Sequence, residues 1–344
     1  MANNIQRVCV SEALYPIMFY LLISSEDDIK NTIFIVDNHI DKGIVKRLPN
    51  AKFENKQSIC YHNKWTKTIY GYWQRFIKYP FIRTSELYGL DFNWSLLRGC
   101  KFNYIEDCPN VLNLWETGAL YKEFLKNSKQ HTLKKKILEI LFGEYYQHPV
   151  GTSKSVKTIN VTGFYNKYYH QGKKIVSYDL KKEWDNSSSS KRYLILRIFD
   201  ITENDLKVLK SKKIILLTQA FYEDKMVTEE EQIEIYRRIL KNYSGKDVII
   251  KPHPRDRLNY RKFFPEVLCF DKSVPLQFLS IIGVTFDNVV TVSSSSALSF
   301  GDKVKIDWYG GGVHPGIIKA EGNRTLEDAL KNYREQQTGK HRSL

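Results

Sequence analysis

Several common frameworks are missing from this 344-residue chain. Its five cysteines, at positions 9, 60, 100, 108 and 269, form no Cys-x-x-Cys pair and no His/Cys cluster at ligand spacing, so neither a disulfide scaffold nor a zinc site is expected. The chain reads as reduced and cytoplasmic. No Asp-x-Asp occurs, which leaves the usual metal-held diphosphate without support, and metal independence is the expectation. Long apolar runs are also absent. Leu14 to Ile23, the longest near the amino terminus, is about half a membrane span, and no basic segment leads into a long apolar core. Neither a signal peptide nor a transmembrane helix is expected, and no repeat of solenoid period is visible.

What is present describes a folded, basic protein. Apolar residues make up 42% and aromatic residues 13%, including 22 Tyr, which argues against disorder and for sizeable cores. The length exceeds what one small core organises, so two lobes are expected, with a cleft between them as the place for a site. The 53 basic against 38 acidic side chains give a formal charge of +15, which favours anionic partners such as nucleotide sugars, acidic glycans or phospholipid headgroups. The lysines fall in short scattered clusters, Lys134 to Lys136, Lys173-Lys174, Lys181-Lys182 and Lys212-Lys213, which read as solvated surface. No nucleic-acid motif is formed.

Along the chain, strands and helices alternate. Ile5 to Val10 and Thr32 to Val36 read as strands around an apolar helix, Glu12 to Ile23. An aromatic-rich helix from Trp65 to Tyr79, a strand from Phe102 to Ile105 and a long amphipathic helix from Gly118 to Leu141 follow. Residues 181 to 192 are polar and low in complexity, which predicts a surface loop or linker and a boundary between domains 1–188 and 189–344. The second part predicts strands at Lys213 to Leu217, Val248 to Ile250 and Asn288 to Val292, with a helix from Thr228 to Lys241 whose start carries the Thr228/Glu231 capping-box spacing. A tail helix from Leu326 to Gln336 completes it. Strands separated by helices imply parallel sheets with right-handed crossovers, so the predicted fold is α/β with two Rossmann-like lobes facing a cleft, a GT-B-like architecture.

Two segments of the second part look like the ends of a nucleotide-phosphate site. Lys251, His253 and Arg255 leave the carboxyl end of one predicted strand together, where α/β sheets bind ligands. The run Ser293 to Ser296 follows another strand and opens a segment able to begin a helix, offering hydroxyls and free backbone N–H groups. His148-Pro149 and His314-Pro315, and the serines at 187 to 190, lack that context. Position after a strand is what separates them.

With these residues in place, the pattern resembles glycosyltransferase family 52, whose bacterial members include lipo-oligosaccharide and capsule sialyltransferases using CMP-sialic acid. Cys9 to Pro16 is similar to that family's first strand and turn. Thr218-Gln219 with Glu223-Asp224 resembles its loop after the first strand of the second lobe, His253-Pro254 its HP motif, and Ser293 to Ser296 its serine motif.

The resemblance implies roles. His253 would hydrogen-bond or protonate the departing CMP phosphate, with Lys251 and Arg255 adding positive charge. Ser294 and Ser295 would cradle that phosphate, Gln219 would lie among the nucleotide contacts, and Gln277 would sit near the nucleoside, where related enzymes place a Glu. Inverting transfer needs a carboxylate base. The resemblance favours Asp224, with Glu106 in reserve because Glu106-Asp107 resembles the acidic motif of related bacterial sialyltransferases; Lys225 and Cys108 stand where that motif has glycine.

The implied activity is transfer of sialic acid from CMP-sialic acid to a terminal sugar, such as galactose, of a bacterial surface glycan, with no cofactor. The implied partners are the nucleotide-sugar donor, a lipid-linked glycan acceptor, the inner membrane surface and a second copy in a homodimer. Three alternatives stay open: a family 52 transferase with another donor such as UDP-glucose, a non-catalytic anion- or glycan-binding protein, and, resting on charge alone, a salt-sensitive nucleic-acid binder.

Overall fold

A computed structural model describes residues 6–37, 40–54, 64–90, 95–97, 100–109, 133, 151, 153, 155–163, 173–300 and 304–331. The predicted helix from Gly118 to Leu141 (apart from Leu133), the lysines at 134 to 136, His148-Pro149 and the end of the tail helix lie outside these residues. Residues 326–331 are helical. The chain forms two compact units, one within 1–198 and one within 199–334.

The first unit runs β1 (Arg7–Ser11), α1 (Leu14–Ile23), α2 (Glu26–Asn31), β2 (Thr32–Asp37), α3 (Lys42–Arg47), β3 (Lys52–Glu54), α4 (Lys64–Trp73), β4 (Glu86–Gly89), β5 (Phe102–Ile105), β6 (Val156–Thr162), β7 (Lys174–Tyr178), α5 (Leu180–Asp185) and α6 (Ser189–Ile198). Among the described residues its strands form one parallel sheet in the order β3-β2-β1-β4-β5-β6-β7. Alternation sorts the side chains. Val8, Val10, Ile33, Ile35, Leu87, Phe102, Tyr104, Ile159 and Val161 share one core with Tyr79 and Ile82. The predicted helix from Trp65 to Tyr79 is α4 followed by a π-helical stretch, Gln74–Lys78. The segment 181–192, predicted as a loop or linker, is instead nearly all of α5, a short turn and the start of α6. Asp179 caps α5 through Lys181 and Lys182 N–H, Ser188 accepts from Lys191 N–H, and Ser190 donates to Glu26, so the polar run supplies helix ends rather than slack chain. The expected boundary at 188 falls between those helices, and the compact units part after Ile198.

The second unit runs α7 (Glu203–Ser211), β8 (Ile214–Leu217), α8 (Glu229–Leu240), β9 (Val248–Lys251), α9 (Tyr260–Phe263), β10 (Leu268–Cys269), α10 (Leu276–Ile281), β11 (Asn288–Thr291), β12 (Lys305–Trp308) and α11 (Pro315–Glu321). The strands are parallel in the order β10-β9-β8-β11-β12. Winding proceeds outward from β8 in one direction and then restarts at β11 on its other side. The carboxyl ends of β8 and β11 are therefore the topological switch point of the sheet, the place where such sheets bind ligands. Leu216, Ile250 and Val290 face a core with Ile233, Tyr236 and Ile239 of α8. Leu217 lies beside Lys251 and Thr291 in register, so three neighbouring strands end level with one another. The Thr228/Glu231 capping box that starts α8 is formed in both directions.

Candidate active site

The two residues that follow β8 each fasten one flanking loop. Thr218 is buried; its Oγ1 accepts from His253 N–H at 3.2 Å and donates to Asp256 Oδ2 at 2.5 Å. Gln219 turns the other way. Its side-chain oxygen accepts from Ser293 N–H at 2.8 Å and from Ser293 Oγ at 3.1 Å. One extended dipeptide thus positions the segment after β9 and the segment after β11, and the candidate groups gather at adjacent strand ends.

His253 is half-buried, and its Nδ1 accepts from Arg255 N–H at 3.1 Å. That bond puts the ring proton of neutral imidazole on Nε2, which has no hydrogen-bond partner among the described residues. Burial, and then the charges of Arg255 and Lys251, pull its pKa below the ordinary histidine value, with Asp224 and Glu223 opposing. The free ring is a neutral Nε2–H donor, not an imidazolium. His314 makes the same local turn, Nδ1 accepting from Gly316 N–H at 3.1 Å, but its Nε2 stands 3.3 Å from Glu231 Oε1. Its Nδ1 caps α11 and its Nε2 faces Glu231 of α8, so this His-Pro dipeptide is used structurally, whereas that of His253 presents a donor without a partner among the described residues.

Beside His253 the opposite charges of Asp224 and Arg255 are already paired. Asp224 accepts both Nη groups of Arg255, at 2.5 and 2.9 Å, so the expected base and an expected phosphate ligand are each other's partner. Glu223 accepts from Arg257 N–H at 2.7 Å. Lys225, at the position where the related motif has glycine, has φ 59°, the left-handed conformation that glycine adopts without strain. Lys251 is buried at the end of β9, its amine 3.2 Å from Pro252 O and 5.9 Å from the Phe270 ring centroid. Burial draws its pKa down to about 8.

The serine segment differs from expectation in its helix. It turns into a 3₁₀ stretch, Ser295–Phe300, and Ser294 N–H is held by Thr291 Oγ1 at 3.1 Å. With Ser293 N–H bound to Gln219, two N–H groups that a phosphate could use are spent on shaping the turn. The hydroxyls of Ser294 and Ser295 and the N–H of Ser295 have no partners among the described residues, and Ser295 is exposed. Gln277 is half-buried in the first turn of α10, and its side chain makes no hydrogen bond among the described residues.

A support network missed by the sequence reading lies beneath these loops. Gln232, fully buried on α8, accepts from Tyr222 N–H at 2.7 Å and donates to Gln219 O at 3.0 Å and Tyr260 Oη at 2.8 Å, with Asp256 Oδ2 3.3 Å from the same nitrogen. Asp256 also accepts from Tyr260 at 2.7 Å, and burial raises its pKa. A polar residue among Ile233, Ile235, Tyr236 and Ile239 on the buried part of an amphipathic helix was the available signal.

In the first unit Glu106 follows β5 and is fully buried. It accepts from Tyr15 Oη at 2.8 Å, Thr162 N–H at 2.8 Å and Thr162 Oγ1 at 2.6 Å. Desolvation outweighs these bonds and pushes its pKa up to about 7.

The model of glycosyltransferase family 52 matches residues 95–315. The chain belongs to glycosyltransferase family 52. The matched stretch contains every residue discussed above from Glu106 to Ser295, whereas Cys9 to Pro16 lies before it. An uncharacterized protein of Haemophilus influenzae is 28% identical over 318 residues, covering 90% of this chain and 96% of that relative. Among solved structures, the GT-B domain of a Photobacterium damselae sialyltransferase covers 96% of this chain and 98% of its own with a TM-score of 0.52 at 13% identity. An alpha/beta-galactoside alpha-2,3-sialyltransferase of Photobacterium phosphoreum gives 0.49 at 11% identity, covering 96% of this chain and 97% of its own. The likeness to the Photobacterium damselae GT-B domain shows that this family 52 glycosyltransferase has the GT-B fold.

Proposed function

We propose that this glycosyltransferase is an inverting, metal-independent sialyltransferase that moves sialic acid from CMP-sialic acid to a terminal sugar, such as galactose, of a surface glycan. The observation that carries the reading is the free Nε2–H of His253 beside the serine turn, both fastened to the residues after β8. In the reaction the bond between the anomeric carbon and the phosphate oxygen of CMP breaks, and a bond from the acceptor hydroxyl oxygen to that carbon forms. His253 hydrogen-bonds the departing phosphate through its Nε2–H and stabilises the charge that develops there, Lys251 adds positive charge, and the hydroxyls of Ser294 and Ser295 bind the same group. Gln219 holds the serine turn, and Gln277 lies toward the nucleoside.

The acceptor proton goes to a carboxylate. Asp224 takes it once the donor phosphate competes for Arg255 and releases the carboxylate from its clamp. Glu106 is the second reading, favoured by a pKa of about 7, a value suited to proton transfer near neutral pH. We place the enzyme at the inner face of the membrane, acting on a lipid-linked acceptor as a homodimer. Transfer assays with CMP-sialic acid, and thermal shift with CMP against UDP, test the donor. A melting rise with UDP alone moves the assignment to a UDP-sugar.

A further inference from the structure

The segment running from α4 into the π-helical stretch is polar inside and apolar outside. Its inward row is built on Glu54 at the end of β3. That carboxylate is 1% exposed and accepts from Tyr70 Oη at 3.3 Å and Gln74 Nε2 at 3.0 Å, as well as from Lys78 and Tyr79. The outward row is Ile69, 63% exposed, Trp73, 41%, Phe76, 52%, and Ile77, 68%. Those positions, spaced four, three and one apart, make one strip along the helix. A water-facing helix has the opposite arrangement, with apolar residues toward the core. Burial of such side chains is favourable, so a strip of four left in water marks a surface that something covers.

Charge identifies what covers it. The Arg83 guanidinium stands 4.7 Å from the Phe76 ring centroid and the Lys78 amine 5.9 Å from that of Trp73, so cations border the aromatic strip. Arg83 makes no ion pair among the described residues, nor does Lys52, beside the exposed Phe53. Lys78 is held by Glu54, which leaves Arg83 as the cation at the strip without an ion pair among the described residues; an aromatic and aliphatic strip bordered by such a cation is what an anionic lipid surface takes up, with headgroups meeting the cation and acyl chains the strip. A symmetric second copy would bring equivalent cations toward one another. The net charge of +15 adds long-range attraction to the same lipid.

We propose that the strip of Ile69, Trp73, Phe76 and Ile77 seats this protein on a bilayer surface containing anionic lipid. This deepens the proposed function and rests on its lipid-linked acceptor for its purpose, though not for its readout. The experiment is co-sedimentation of the full chain with vesicles of phosphatidylglycerol mixed with phosphatidylcholine, against phosphatidylcholine alone. The parent protein binds the mixed vesicles and binds them less as salt rises. The double variant Trp73→Ser/Ile77→Ser partitions about tenfold less or weaker still, while Tyr193→Ser, which removes an exposed aromatic elsewhere in the same unit, changes nothing. Unchanged melting of each variant establishes that it is folded. Equal binding by parent and double variant overturns the proposal, as does a parent that ignores mixed vesicles. A concentration-dependent dimer lost in the double variant, without vesicle binding by the parent, assigns the strip to a second copy and also overturns it. Transfer to a soluble short acceptor is measured alongside: turnover without vesicle binding removes only the docking strip, and vesicle binding without turnover removes only the transferase reading.

Discussion

Arg255 grips Asp224 through both ends of its guanidinium, with Nη1 2.5 Å from Oδ1 and Nη2 2.9 Å from Oδ2. The Arg255 side chain is 62% exposed, so the pair contributes at most about 1 kcal/mol to folding. Its geometry is bidentate all the same, and phosphate is the ligand best able to compete for such a fork. We predict that Arg255→Ala leaves the melting temperature nearly unchanged and raises the KM for donor about tenfold or more. Arg255→Lys recovers only part of the loss. Donor saturation curves decide it, and an unchanged KM rejects the phosphate role.

His253 presents Nε2–H because Arg255 N–H occupies Nδ1. His253→Ala should reduce transfer by roughly a hundredfold or more while the protein still melts cooperatively. Near-normal turnover would remove His253 from the mechanism. NMR titration gives an independent check: its pKa lies below that of free histidine in the apo protein and rises when CMP binds, because an anion favours the protonated ring. For stability the sign is that of a depressed group: its contribution is present above the unfolded value near 6.5 and is lost as pH falls.

The two candidate bases separate by substitution. If Asp224 is the base, Asp224→Asn loses transfer by roughly a hundredfold or more, while Glu106→Gln alters it far less. The reverse pattern moves the role to Glu106. Stability distinguishes Glu106 in its own right, since its folded pKa of about 7 lies above the ordinary 4.5. A raised carboxyl stabilises fully below the unfolded value and loses that contribution as pH rises through the folded one. The parent should therefore lose on the order of 2–3 kcal/mol more than Glu106→Gln between mildly acidic and mildly alkaline pH, read from denaturant midpoints at both.

Gln232 has a different signature. Gln232→Leu fills the space but removes the partner of Tyr222 N–H and of Gln219 O and one of the contacts to Asp256, and buried polar groups left unpaired cost about 1–3 kcal/mol each. We expect a lower melting temperature together with a higher donor KM, because Gln219 and Asp256 hold the serine turn and the His253 segment. Gln232→Glu, which restores only the acceptor half, should fall between. A destabilised variant with unchanged KM would limit Gln232 to packing.

The sequence was most legible where chemistry and period coincide. Phe102–Ile105 is a strand at the predicted residues, and the helix opened by Thr228 and Glu231 begins where its cap requires. The parallel α/β class was readable for the same reason. Short strands such as Lys52–Glu54 and Glu86–Gly89 carry too few residues to show a period, and their partners make them strands. The serines before α6 misled because capping residues and linker residues are the same types. Within the site, the strand-end positions of Lys251, His253 and the serine run were legible. The clamp between Asp224 and Arg255, and the amide of Gln232 beneath three loops, were not, since each depends on side chains brought together by tertiary folding.

Because winding in the second unit restarts beside β8, Thr218 and Gln219 serve both flanking segments from the middle of the sheet. Variation in chain length then has unequal consequences. Residues can be added beyond the outer strands β10 and β12 without disturbing that dipeptide, whereas a single insertion after β8 would displace histidine and serines together. Divergent members of such a lineage should accumulate their insertions at the margins of this unit and keep its centre constant in length.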